Sequence, residues 1–120
     1  MDISKAIAIM KEDPAFVENV GMVLVHNGTV RGWSRGDHSP VRQIEVIADE
    51  DKVEQIRSEV EQMEGVFKVV VETRSGVMFP GDDLLFLIVA GDIRENVKTA
   101  LALLLDRIKT EAITKNEICE

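Results

Sequence analysis

Residues 74–110 read RSGVMFPGDDLLFLIVAGDIRENVKTALALLLDRIKT, and this stretch decides the fold. Pro80-Gly81-Asp82-Asp83 is a turn signal, and residues 84–90 (LLFLIVA) are an unbroken apolar run of strand length. Asp92 followed by Glu95 has the spacing of a capping box and predicts a long helix running to Thr110. Along that helix Ile93, Val97, Ala100, Leu101, Leu104 and Ile108 share a face, which Leu103 and Leu105 widen. Such a stripe packs against a core or a second copy of the chain. Arg94 falls in the first turn, where the helix already carries partial positive charge, so a cation there points to an anion to be bound. Lys109 falls at the other end, a position that favours lysine on dipole grounds alone.

The remaining chain supplies the partners of this unit. Ile3, Ala6, Ile7 and Met10 lie on one face of a helix over residues 3–11, which Asp13-Pro14 ends. Residues 20–26 (VGMVLVH) read as a buried strand, Asn27-Gly28 as a turn or bulge, and residues 32–40 as a loop. Residues 43–48 alternate as a strand does. Asp51 and Glu54 offer a second capping box, ahead of a helical stripe at Val53, Ile56, Val60 and Met63. Residues 66–71 form a further strand. The expected fold is α+β, a mostly antiparallel sheet covered by two helices, in one domain over residues 1–120.

Composition excludes several classes. Hydrophobic residues at 45% and charged residues at 30% suit a globular chain and are too apolar for disorder. No apolar run reaches membrane-spanning length. The N-terminal residues lack the pattern of a signal peptide, and the only cysteine is Cys119, so the cytoplasm is the expected location. A net charge of −8 argues against a nucleic-acid surface. Yet residues 29–42 hold Arg31, Arg35 and Arg42 against one acid, Asp37, with His38 nearby. Such a loop either stays solvated or attracts one small anion to an otherwise acidic protein. His26 and His38 lack the spacing of a metal pair, and no metal site is expected. His26 closes an apolar strand as a packed residue or a pocket-lining one, and Trp33 either covers a ligand or meets another subunit.

With these residues in view, the chain resembles the large, catalytic subunit of molybdopterin synthase, also called molybdopterin-converting factor subunit 2. The family's G-x-V-R strand end looks like Gly28-Thr29-Val30-Arg31, and its R-x-G-x-x-x-P-G-D segment is matched by Arg74, Gly76 and Pro80-Gly81-Asp82. Its helix-closing D-x-[LI]-K-T is matched by Asp106-Arg107-Ile108-Lys109-Thr110, with no gap from Arg74 onward. The resemblance implies an α/β hammerhead type of fold and a sulfur-transfer reaction in molybdenum cofactor biosynthesis. A small ubiquitin-like carrier would bring sulfur as a thiocarboxylate on its C-terminal Gly-Gly. The large subunit would place that sulfur on cyclic pyranopterin monophosphate to make the molybdopterin dithiolene. No resident cofactor is implied, and two large subunits would form a homodimer within a heterotetramer.

By the same resemblance Arg31 and Arg94 would hold the substrate phosphate, with Arg35 and His26 beside them. An arginine fork gives parallel charge-assisted hydrogen bonds and keeps its charge. Lys109 would be the main catalytic group, as proton donor, proton acceptor or amine nucleophile. The departures are specific. Ile93 stands where the family has histidine before its arginine, His26 stands where a strand aromatic is usual, and the chain has no tyrosine. The family's second catalytic lysine falls on Asn116, leaving Lys115 one residue short unless a flexible tail carries it in. Three readings stay open: a working synthase subunit, a non-catalytic relative that binds the carrier or a pterin-like anion, and an unrelated small ligand-binding or regulatory domain.

Overall fold

The computed structural model describes residues 1–119, and for Cys119 the backbone alone. Helices α1 (Ile3–Lys11) and α2 (Phe16–Asn19) lead into strand β1 (Met22–Thr29). Then follow β2 (Val41–Ala48), α3 (Glu50–Glu61), β3 (Val66–Thr73), β4 (Gly76–Met78) and β5 (Asp83–Gly91). Helix α4 (Arg94–Arg107) passes into a π-helical turn (Ile108–Ala112), and strand β6 (Ile113–Cys119) follows.

The fold is α+β and antiparallel throughout, as expected, but the sheet is divided in two. Strands β1-β5-β3 make one three-stranded sheet and β4-β2-β6 the other. Strand β5 explains the unbroken apolar run. It is the central strand of a sheet covered on both faces, so seven successive positions from Leu85 to Gly91 are buried. On one face Leu85, Leu87 and Val89 meet Val53, Ile56 and Val60 of α3 and Val97, Ala100 and Leu104 of α4. On the other face Ile88 and Ala90 meet Met10 of α1 and Phe16 of α2. The expected cover of two helices is therefore the cover of one face only. The second sheet packs Val41, Ile44 and Val46 of β2 against Val30 and Met78. Two sheets set end to end give a long particle, 51 × 25 × 25 Å.

Several local expectations are corrected. Neither capping box forms: Asp49, not Asp51, caps α3 by accepting from the Lys52 amide at 3.1 Å. Asp92 instead accepts from the Ile93 amide and the Asn96 side chain, and Ile93 sits at the N-cap of α4 with no side-chain cap. Ile93 and Leu103, read as core-facing, are 54% and 42% exposed. At Asn27-Gly28, expected as a turn or a bulge, it is the bulge that forms: β1 runs through with a register shift between Gly28 and Thr29. The helix expected to reach Thr110 leaves α geometry at Ile108. Residues 113–119, read as a flexible tail, are a full strand paired with β2.

The candidate active site

A cavity of about 350 Å³ opens where the two sheets meet, within the size range of small-ligand sites. Gly28, Thr29 and Arg31 bring the end of β1 to it, and Arg35 comes from the following loop. Lys109 enters from the π-helical turn, Lys115 and Glu117 from β6, and Ile44, Leu84 and Ile113 form its apolar floor. Four cations thus face one carboxylate.

Local structure explains each placement. The Pro80-Gly81-Asp82 turn pins the lip beside Arg31: the Val30 amide donates to the Asp82 carbonyl and the Gly81 amide to the Val30 carbonyl, both at 2.9 Å. Gly81 has φ +95°, a region that glycine enters freely. Arg31 is braced by a stack, its guanidinium 4.9 Å from the Trp33 ring centre. Trp33 lies parallel to His38 with ring centres 4.6 Å apart. The loop closes onto β6 through Ser34 Oγ, which donates to Glu117 Oε1 at 3.2 Å. Alternation along β6 turns Ile113, Lys115 and Glu117 to the cavity, while Asn116, paired with Glu45, belongs to the other face.

The electrostatics follow from this crowding. Burial lowers the proton affinity of Lys109 below that of an ordinary lysine, and Lys115, Arg31 and Arg35 lower it further. Asp106 opposes them. His26 lies on β1 just behind the cavity, opposite Leu87. Its Nε2 is buried without a hydrogen-bond partner, and burial and then Lys109 hold its pKa below 6.5. Gly28 leaves room for that ring, since a Cβ there would lie 3.1 Å from Nε2.

Of the residues singled out in the sequence, Arg31, Arg35, Lys109 and Lys115 come together, and His26 lies beside them. Arg94 does not. It begins α4, its side chain is 78% exposed, and it pairs with Glu95 at 3.4 Å. Lys109 lies fifteen positions further along the helical segment, on the order of 22 Å along the axis. Arg74 stays outside too, 5.8 Å from the Phe86 ring centre, bracing the sheet. Glu117 is the wall residue that sequence reading missed. Its signal was the two-residue spacing from Lys115, visible once residues 113–119 are read with a strand's period. Among the described residues, no three His, Cys, Asp or Glu side chains gather as a metal site, and no helix is long and apolar enough to cross a membrane.

A family model described as MoaE protein matches residues 1–111. The crystal structure of molybdopterin synthase from Staphylococcus aureus is 28% identical, with a TM-score of 0.72 over 84% of this chain and 76% of that one. The molybdopterin cofactor biosynthesis protein E of Burkholderia multivorans is 21% identical, with a TM-score of 0.75 over all of this chain and 82% of its own. In Helicobacter pylori, a chain of the complex of subunits 1 and 2 of molybdopterin-converting factor is 18% identical, with a TM-score of 0.70 over all of this chain and 80% of its own. The last two speak for the fold alone. A search of curated proteins gives no match. The family match runs from α1 into the π-helical turn and removes the reading as an unrelated regulatory domain. The chain belongs to the MoaE protein family, the large subunits of molybdopterin synthase.

Proposed function

We propose that the cavity is the sulfur-transfer site of this subunit. Family membership puts the chain in molybdenum cofactor biosynthesis as the catalytic subunit of the synthase. One observation carries the reading of the site: a lysine of lowered proton affinity, Lys109, shares a small cavity with Lys115, Arg31 and Arg35. That combination suits an anionic substrate and an amine that gives up its proton more readily than an ordinary lysine. Arg31 and Arg35 hold the phosphate of cyclic pyranopterin monophosphate, and Lys109 serves the exchange of oxygen for sulfur. Lys115 takes the place of the family's second lysine, carried there by β6. The sulfur arrives as a thiocarboxylate on the C-terminal Gly-Gly of a small ubiquitin-like carrier. Two copies of this chain form the centre of a heterotetramer in the cytoplasm. Arg94, remote from Lys109 in its own chain, meets substrate only from a second copy.

A single-turnover assay tests this, with purified protein, thiocarboxylated carrier and cyclic pyranopterin monophosphate, scored for the dithiolene. Product is expected from the unaltered chain and none from Lys109→Ala, with the far-ultraviolet circular dichroism of the variant unchanged. A helix-end lysine adds little to stability, so loss of fold in the variant would count against the assignment. Product formation by a folded Lys109→Ala would overturn it. Carrier binding without product in the unaltered chain would leave the fold with the chemistry gone.

A further inference from the structure

Lys109 is carried by the least regular part of its element. Residues Ile108–Ala112 form a π-helical turn, a geometry that is rare and unfavourable without outside support. Its inner side is ordinary core, with Ile108 and Ala112 buried beside Val53 and Ile56 of α3. Lys109 faces the cavity, and Glu111 is held from α3 and α4. Glu111 accepts from Arg107 Nε at 2.8 Å and from Nη2 at 3.3 Å, and meets Lys52 Nζ at 3.4 Å. Arg107 extends the chain of pairs by donating to Glu59 through Nη1 at 2.5 Å. The Asp49 amide at the start of α3 donates to the Ala112 carbonyl at 2.8 Å, tying off the end of the turn. Helix α3 therefore grips the turn at its first residues and again near its last. None of these groups lines the cavity.

A lone exposed ion pair contributes little, but this is a connected set. One guanidinium meets two carboxylates, and one of those carboxylates meets a second cation. The side chains are between 24% and 49% exposed. We propose that Glu59, Arg107, Glu111 and Lys52 form a clamp on the outer side of the π-helical turn, and that as positioning residues they hold Lys109 among the cavity's cations. This rests on Lys109 being the reacting group, but its test needs no reaction.

In the full-length protein, lysine side chains labelled with carbon-13 can be titrated by NMR, with the Lys109 signal assigned by its loss in Lys109→Arg. The groups that share the cavity with Lys109 or act on it are Lys115 and Glu117 of β6, Arg31 and Arg35 of the loop, Asp106 of α4 and His26 of β1, and none is altered in the test. In Glu111→Gln and in Glu59→Gln, the Lys109 midpoint is expected to rise toward 10.5, because a loosened turn lets the ammonium reach water. Charge alone acts the other way, since removing a carboxylate lowers a lysine's proton affinity. A rise therefore reports lost positioning. Synthase turnover is expected to fall by about tenfold in kcat with KM little changed, as suits a displaced catalytic group. A Lys109 midpoint that stays or falls in both variants overturns the clamp, even where turnover or thermal stability drops.

Discussion

His26 shows how one substitution can be read from its surroundings. It stands where the family's strand has an aromatic, and the structure uses it as a flat ring packed behind the cavity. The cost is an orphaned Nε2, the one such buried side-chain atom among the described residues. Its folded-state pKa is lowered, first by burial and then by Lys109. The sign follows from proton counting. As pH falls below 6.5 the unfolded chain takes up a proton more readily than the folded one, so stability declines until pH passes below the folded-state value. His26→Phe should remove that decline. Thermal unfolding at about pH 7 and at about pH 5 is expected to show a smaller gap for the variant than for the unaltered protein. An equal gap would show that the ring titrates in the fold as it does in solvent. The sequence disclosed this residue as packed or pocket-lining, and the structure places it between the two. Arg31 and Arg35 were legible because basic residues cluster between positions 29 and 42 of an acidic chain, whereas Lys109 stood out only through the family resemblance. Glu117 was not, since a lone acid among 22 carries no signal until its strand is known.

Strands and helices divide in the same way. The runs that became β1, β2, β3 and β5, and the first helix, were legible because core burial imposes period and apolarity. β6 was not. Its inner face carries Lys115 and Glu117, so the apolar-inward signature of a strand is inverted where the strand serves as a cavity wall. β4 was hidden by its three-residue length. The π-helical turn was hidden because its residues satisfy helical spacing until the extra backbone is counted. Strand alternation yields a sharp comparison at this scale. Lys115→Ala should lower turnover by about tenfold or more, and Asn116→Ala, on the opposite face, should stay near the unaltered rate. Losses of the same size in both would mean that the β6 register differs from the one described.

The whole molecule carries a net charge of −8, yet one end of the joint between its sheets gathers Arg31, Arg35, Lys109 and Lys115. An acidic body with one basic recess repels extended polyanions and admits a small anion. Inorganic phosphate should therefore raise the unfolding midpoint beyond sodium chloride of equal ionic strength. The gain grows with the logarithm of concentration, to about 2.7 kcal/mol at a hundredfold excess over Kd. Arg31→Ala should remove most of that increment. An equal gain from both salts would mean that the recess holds no particular anion.

The same recess draws its walls from Gly28 and Glu117, about three quarters of the sequence apart. Neighbouring pieces such as α3 with β3 close short loops and can assemble early. The edge that β6 adds to β2 closes one of the longest loops in the molecule, at a larger entropic cost. The proposed sulfur-transfer site is therefore complete only once β6 has paired: a molecule can own its helices, its first sheet and its main core while still lacking any place to carry out chemistry.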